Sequence, residues 1–181
     1  IKEYVEVVRG LLAGERLDHE GLYDVRGYFL MMNNPQPPAP IIIGALNSQM
    51  LRAGGEVADG VCLNWIGAHA VADALAHVKA GSRETTNACF VRVCVTDDVE
   101  STRRWARREV MSYVTVPAYR KAFGVQGWDA VTETAMAHWD GGDRKAAAAS
   151  LPDEFLDTMV LAGSADGMTA RIAASRDPAS V

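Results

Sequence analysis

The first stretch of the chain carries apolar residues at helical spacing. They recur at positions i, i+3, i+4, i+7 and i+8, which places them on one face of a helix. The residues of this face are Tyr4, Val7, Val8, Leu11 and Leu12. Gly14 follows them and is typical of a helix C-terminus. The pattern therefore predicts one amphipathic helix within residues 1–16.

A less regular stretch follows in residues 17–39. Gly21 and Gly27 flank a short segment of mixed polarity, a pattern that predicts a surface hairpin. Between Asn33 and Pro40, prolines fix their own φ angles and restrict the residues before them. We therefore expect a stiff, extended connector rich in proline after the hairpin.

Strand and helix patterns alternate through residues 40–98. The Ile-Ile-Ile run at residues 41–43 is typical of a strand buried on both faces of a parallel sheet. Ser48 is the expected N-cap of the helix that follows this strand. Residues 61–63 and 88–95 are predicted to form the second and third strands. This βαβαβ order predicts a parallel sheet with right-handed crossovers.

The remainder of the chain, residues 99–181, has a helical pattern with breaks at proline and glycine. The sequence thus contains three predicted core strands. We expect an α/β fold in which residues 1–181 form a single domain.

Composition and charge limit the classes of function. The 181 residues carry a net charge of -5 and have a pI near 5.3, whereas nucleic-acid binders usually present a basic patch or stripe. The longest apolar runs are far shorter than the roughly 20 residues that cross a bilayer. We therefore expect a soluble protein that binds neither nucleic acid nor a membrane.

Cysteine and histidine spacing argues against disulfides and against a metal site. Cys62, Cys89 and Cys94 form no CxxC pair, and their number is odd. The four histidines are scattered along the chain, and we interpret them, including His69 and His77 eight residues apart, as structural or surface residues. We expect buried free thiols in a reducing compartment, hence a cytoplasmic protein without a metal.

Candidate ligand-binding residues follow the first predicted strand. They are Gly44, Ala45, Leu46, Asn47 and Ser48. In α/β folds, ligands bind at the C-terminal ends of strands, where loops meet helix N-termini. A glycine there lets a ligand approach the backbone, and the N–H groups of a first helical turn attract an anion such as phosphate. A plain strand-to-helix turn with a serine cap explains the same residues, and geometry alone favours it.

Further candidates lie on the other two predicted strands. Asn64 donates and accepts hydrogen bonds and Trp65 offers a flat apolar face, so the pair suits a planar heterocycle. The structural alternative is that Trp65 covers the end of the fold and Asn64 caps the next helix. Arg92 lies in an otherwise apolar strand. It either pairs with a buried carboxylate, points to the rim, or binds phosphate.

One longer segment resembles a known family. It runs from Pro40 to Trp65 and reads PIIIGALNSQMLRAGGEVADGVCLNW. The isoleucine run, Gly55-Glu56 and the segment at residues 58–61 resemble the bacterial-luciferase-like monooxygenases, and among them the branch that uses the deazaflavin coenzyme F420. The segment at residues 47–49, Asn-Ser-Gln, stands where that branch usually has Gly-Pro-Lys.

The resemblance implies part of a TIM barrel, the (β/α)8 fold. A complete barrel needs about 250 residues. This chain would be the C-terminal part of one, with about strands five to seven and their helices, while the N-terminal half and the last strand would be absent. The chain would then be an internal piece of a longer protein.

In the family, the cofactor lies at the C-terminal ends of the strands. That position carries over onto the five residues from Gly44 to Ser48, and less directly onto Asn64 and Trp65. The family's catalytic residues lie largely in the absent half, so no catalytic residue is assigned here.

The function that the resemblance implies is a flavin- or deazaflavin-dependent oxidoreductase, acting by hydride transfer or as a monooxygenase. Coenzyme F420 is favoured and FMN is the alternative; the substrate is an unidentified small molecule. The alternative function is a truncated, non-catalytic flavin-binding protein of the same fold. In both cases we expect a homodimer, with residues 99–156 as the contact surface.

Overall fold

The computed structural model describes residues 1–32 and 36–176, and for residues 171–176 it describes the backbone alone. Asn33, Asn34 and Pro35 of the predicted connector lie outside the described residues. The strands are β1 (Leu17–His19), β2 (Val25–Tyr28), β3 (Ile42–Gly44), β4 (Gly60–Asn64), β5 (Ala88–Phe90), β6 (Arg92–Val95) and β7 (Val160–Gly163).

The helices account for most of the remaining chain. They are α1 (Lys2–Leu12), α2 (Ser48–Val57), α3 (Ala68–Lys79), α4 (Val99–Val114), α5 (Pro117–Phe123), α6 (Asp129–Asp140), α7 (Arg144–Ala149), α8 (Asp153–Met159) and α9 (Ala165–Arg176). One turn of π-helix, Gly124–Trp128, separates α5 from α6.

The chain divides into two compact units. Unit 1 comprises Ile1–Cys62 and Ala74–Ala88, and unit 2 comprises Leu63–Asp73 and Cys89–Val181. The expected single domain stays a prediction. None of the helices in the described ranges combines the length and the apolar character that crossing a membrane requires.

The start of unit 1 agrees with the sequence pattern. Helix α1 ends just before Gly14, whose φ of 86° is the left-handed conformation that glycine adopts readily. Strands β1 and β2 pair antiparallel, with Leu17 opposite Tyr28. The predicted helix and hairpin are therefore confirmed.

Parallel pairing and close helix packing form the rest of unit 1. Strand β3 pairs with β4 in parallel, with Ile43 opposite Val61. Ile43 is buried but Ile42 is 46% exposed, so the prediction of a strand buried on both faces is wrong for β3. Helix α2 contributes Gly55 at a point where a Cβ atom would overlap the carbonyl oxygen of Val78. A residue larger than glycine would therefore push α2 away from the end of α3.

The side chain of Asp59 ties several segments of unit 1 together. Its carboxylate accepts hydrogen bonds from Arg9 Nη1 at 2.9 Å, Arg83 Nη2 at 2.8 Å and the Ile41 N–H at 2.9 Å. Burial raises the pKa of Asp59, but these hydrogen bonds outweigh it and leave the pKa below its ordinary value. The ionised carboxylate thus fixes α1 and the start of β3.

Three predictions about strands and thiols need correction. The third predicted strand is interrupted at Val91: β5 belongs to a sheet of order β3–β4–β5, whereas β6 pairs with β7. Hydrophobic periodicity does not reveal such a change of pairing partner. Cys89, expected to be buried, is exposed, while Cys62 and Cys94 are half-buried.

Strand β7 lies in the stretch predicted to be helical. It begins at Val160 directly after α8, with no glycine or proline to mark the change. It pairs in parallel with β6, Cys94 lying opposite Ala162. The described part of the chain thus contains a further parallel strand, and its strands form separate sheets without closing into a barrel. The partial barrel stays a prediction.

The core of unit 2 is built mainly from helices α4 to α8. Its buried residues include an aromatic chain in which Phe123 lies 5.4 Å from Phe155 between ring centroids. Trp128 contacts Phe155 from another direction, at 5.2 Å. Trp65, one of the second set of candidate residues, belongs to this core.

Candidate functional site

The end of β3 leaves open space beside its backbone. Gly44 is exposed, and a Cβ atom added to it would meet no atom within 4 Å. The next residue, Ala45, is buried, and its N–H donates to the Cys62 carbonyl at 3.4 Å. The backbone is thus anchored on one side at Ala45 and open at Gly44.

Asn47, rather than the predicted Ser48, is the N-cap of α2. Its Oδ1 accepts a hydrogen bond from the Met50 N–H at 2.9 Å. Both residue types suit this position equally well, so the sequence did not separate them. Ser48 is consequently the first helical residue and is exposed.

The N-terminus of α2 is the electrically positive end of a ten-residue helix. The first N–H groups of any α-helix have no partner within the helix itself. Gln49 occupies the position where the resembling family usually has lysine. An anion at this end would therefore be held by N–H groups and the Ser48 hydroxyl, without a basic side chain in the first turn.

Asn64, in unit 2, does not cap α3. Its Oδ1 accepts from Arg92 Nη1 at 3.0 Å, and its Nδ2 donates to the Tyr119 hydroxyl at 3.3 Å. The amide is thereby held in one orientation at the end of β4.

The ring of Trp65 belongs to the core of unit 2. The residue is 1% exposed, and the Arg92 guanidinium carbon lies 3.3 Å from its ring centroid. The Tyr113 ring lies 4.9 Å away between centroids. The structural interpretation of Trp65 is therefore favoured over a ring that stacks on a heterocycle.

The backbone of Trp65 is in a conformation rare for a bulky residue. Its φ angle is 51°, in the left-handed region. Gln126, in the π-helical turn, donates from Nε2 to the Trp65 carbonyl at 3.1 Å and accepts from the Gly67 N–H at 2.8 Å. Sequence reasoning missed Gln126, because no local pattern marks a side chain that acts 59 residues away.

The candidate residues fall into two groups, each within one unit. Unit 1 holds the five residues from Gly44 to Ser48, and unit 2 brings Asn64, Trp65 and Arg92 into mutual contact. In the described ranges, no three His, Cys, Asp or Glu side chains are grouped closely enough to hold a metal ion.

Comparison with known proteins gives a family and a fold. The family model for luciferase-like monooxygenases matches residues 1–180. One similar structure is the coenzyme F420-dependent tetrahydromethanopterin reductase from Methanopyrus kandleri, with 21% identity, a TM-score of 0.64, and coverage of 93% of this chain and 51% of that one.

A second similar structure is an F420-dependent secondary alcohol dehydrogenase in complex with an F420–acetone adduct. The identity is 13% and the TM-score 0.65, over 98% of this chain and 52% of that one. At these identities the likeness shows the fold alone. The chain spans about half the length of both structures.

Proposed function

The chain belongs to the luciferase-like monooxygenase family, and from that membership we propose that it forms the cofactor-binding part of an oxidoreductase that uses coenzyme F420. Two observations favour F420 over FMN. The central motif resembles the F420 branch, and the two similar structures are F420-dependent proteins. When bound, the coenzyme supplies hydride-transfer chemistry, and the protein supplies orientation and exclusion of water.

The observation that carries the proposal is the open space at Gly44. Because a Cβ atom there would meet nothing within 4 Å, a ligand can lie directly against the backbone at the end of β3. The N-terminus of α2 begins four residues later, at Ser48. An exposed strand end beside a helix N-terminus fits a cofactor that carries a phosphate group.

Each residue of this segment has its own part in the proposed site. Gly44 admits the cofactor, and Ala45 anchors the strand end through Cys62. Leu46, half-buried, connects the strand to the helix. Asn47 holds the first turn through its cap, so that the N–H groups of Ser48 and Gln49 are directed at the anion.

Within unit 2, Asn64 and Trp65 stay proposed cofactor-binding residues on the basis of the family resemblance. Asn64 presents an amide held by Arg92 and Tyr119. Trp65 acts as a positioning residue, because its buried ring fixes the backbone that carries Asn64. We assign no catalytic residue to this chain.

The alternative function is cofactor binding without catalysis. This alternative is supported by the length of the match, since this chain covers only about half of each similar structure. The test offers the chain reduced or oxidised F420 together with a panel of small alcohols, aldehydes and ketones. If the chain binds F420 but consumes none of it, the non-catalytic function is favoured. If the chain consumes the coenzyme, the oxidoreductase function is favoured.

Titration of the chain with F420 and with FMN, followed by fluorescence polarisation, tests the proposal. Gly44→Leu should weaken F420 binding at least about tenfold, or about 1.4 kcal/mol, because the new side chain fills the space that the cofactor needs. A Cβ atom at Gly44 meets no neighbour within 4 Å and Gly44 is exposed, so the variant should fold.

Ala76→Leu is the matched control. Ala76 is exposed on α3, so this substitution adds a similar apolar volume to unit 1 away from the end of β3. Its F420 affinity should equal that of the wild type. Equal affinities for the wild type and Gly44→Leu would refute the assigned site, and tighter binding of FMN than of F420 would refute the choice of cofactor.

A further inference from the structure

Unit 2 contains a cleft of about 510 Å³. This volume is in the range of small-molecule sites, roughly 300–1,000 Å³. Of its lining residues, the cofactor proposal uses only Arg92, as a support for Asn64. Strand β6 forms one wall through Arg92 and Cys94, which lie on the same face of the strand. The start of α4 forms the other wall through Ser101 and Trp105.

Arg92 brings an oriented positive charge to one end of the cleft. Its Nη1 donates to Asn64 Oδ1, and its guanidinium lies flat enough on Trp65 to place its carbon 3.3 Å from the ring centroid. Within the described part of the chain, these are its polar and ring contacts, and no carboxylate neutralises it. The indole face and one amide oxygen stabilise this charge, and a carboxylate in the cleft would add a charge-assisted hydrogen bond to it.

The cleft also carries an acceptor, which follows the C-terminal end of β6 in the chain. Asp98 lines it, with Oδ1 accepting the Ser101 N–H at 2.9 Å as the N-cap of α4. Thr96 Oγ1 accepts the Asp98 N–H at 3.0 Å, which holds the turn. Thr96 follows Arg92 by four residues, or roughly 13 Å along an extended strand.

The walls between these two groups are apolar and aromatic. Val160 and the Cys94 thiol lie on the sheet side, and Cys94 Sγ accepts a hydrogen bond from Thr102 at 3.3 Å. On the helix side, the indole of Trp105 is 44% exposed although it borders the cleft. A flat apolar body would cover this indole and remove it from water.

We propose that this cleft binds a small aromatic carboxylate with a hydrogen-bond donor at the end opposite its carboxylate. Arg92 Nη1 donates to Asn64, and the remaining N–H groups of the guanidinium match the two oxygens of a carboxylate. Asp98 accepts from the donor end, and Trp105 covers the ring. The site shares Arg92 with the cofactor proposal, in which Arg92 only orients Asn64, and its test needs no F420.

Isothermal titration calorimetry of the whole chain tests the proposal with three probes. They are para-(aminomethyl)benzoate, which has both ends, para-methylbenzoate, which lacks the donor, and para-methylbenzamide, which lacks the negative charge. The wild type should bind the first probe most tightly. It should bind the amide at least about tenfold more weakly than para-methylbenzoate, because the amide offers no charge to Arg92.

Variants assign the effect to the two charged groups of the cleft. Arg92→Gln should weaken binding of both carboxylates at least about tenfold. Arg92→Lys keeps the charge but lacks the planar guanidinium, so its affinities should lie between those of Arg92→Gln and the wild type. Asp98→Asn keeps the N-cap of α4. It should weaken binding of the aminomethyl probe and leave para-methylbenzoate unchanged or tighter.

Arg104→Gln is the matched control, since Arg104 is an exposed arginine on α4 whose loss changes the net charge equally. Its affinities for the two carboxylate probes should be within about twofold of the wild-type values. Equal affinities for Arg92→Gln and Arg104→Gln would overturn the proposal. So would equal binding of amide and carboxylate by the wild type, or binding of none of the probes; both of these outcomes are independent of how a variant folds.

Discussion

The guanidinium carbon of Arg92 lies 3.3 Å from the ring centroid of Trp65. The same side chain donates to Asn64, so residues from two strand ends form one cluster in unit 2. The cluster explains why an arginine occurs in an otherwise apolar strand. Its positive charge is stabilised by a cation–π contact with the indole of Trp65 and by a hydrogen bond to the amide oxygen of Asn64.

The π-helical turn should control the stability of this cluster through Gln126. Replacing Gln126 with alanine leaves the buried Gly67 N–H without its acceptor and the Trp65 carbonyl without its donor. We expect a loss of about 1–3 kcal/mol in the free energy of unfolding, measured by urea denaturation. Gln49→Ala, at an exposed position, should cost less than about 0.5 kcal/mol. Equal losses in the two variants would contradict the role of Gln126.

Close packing at Gly55 gives a second prediction. Gly55→Ala should destabilise the protein by about 1–3 kcal/mol, because the added methyl group overlaps the Val78 carbonyl. Gly167→Ala, in α9, meets its nearest neighbour at an ordinary distance of 3.4 Å and should be neutral or stabilising. The unfolding midpoints of both variants are measured by thermal denaturation. An unchanged midpoint for Gly55→Ala would refute the close contact.

The pH dependence of stability should depend on Asp59. Its pKa is lowered in the folded state, so its stabilisation is complete above the ordinary value of about 3.9 and is lost as the pH falls through the folded value. The free energy of unfolding should therefore decrease below about pH 4. Asp59→Asn should reduce this slope without abolishing it, since the pKa values of Glu3 and Glu56 are also lowered, by hydrogen bonds from His19 and Lys2 respectively.

Asp73→Asn serves as the control for this pH dependence. Asp73 is exposed on α3, and its loss should leave the slope as in the wild type. If the Asp59→Asn and Asp73→Asn variants show the same slope, the ionised Asp59 carboxylate does not stabilise unit 1 as described.

The cap of α2 allows fold and anion binding to be separated. Asn47→Asp keeps the cap, because aspartate accepts the Met50 N–H as well as asparagine does, so stability should change by less than about 0.5 kcal/mol. The added negative charge should nevertheless weaken F420 binding at least about threefold by repelling its phosphate. Parallel denaturation and titration experiments measure the two effects. Unchanged F420 affinity would place the anion elsewhere.

Several elements follow from local sequence pattern alone. The apolar spacing from Tyr4 to Leu12 located α1, and the isoleucine run located β3. The predicted face of α1 is wrong in part, because Tyr4 is exposed and Val5, outside that face, is buried. These predictions depend only on periodicity and residue type, which act over a few residues. The family resemblance of the segment ending at Trp65 was confirmed by the family match over residues 1–180.

Other features depend on distant contacts that no local pattern contains. Whether Asn47 or Ser48 caps α2 is a matter of one residue's backbone geometry, since both side chains suit the position. The strand at Val160 forms because β6 offers it a parallel partner 68 residues earlier in the chain, where Arg92 lies opposite it. The burial of the Trp65 ring likewise depends on Arg92 and Tyr113.

Hydrogen–deuterium exchange with and without F420 reports on the proposed cofactor site residue by residue. We expect slower exchange on F420 addition at the N–H groups of Ser48 and Gln49 and at the loop around Gly44. Ala76→Leu should show the same protection and Gly44→Leu should lose it. Unchanged exchange in this segment of the wild type at a high F420 concentration would contradict the cofactor site proposed at the end of β3.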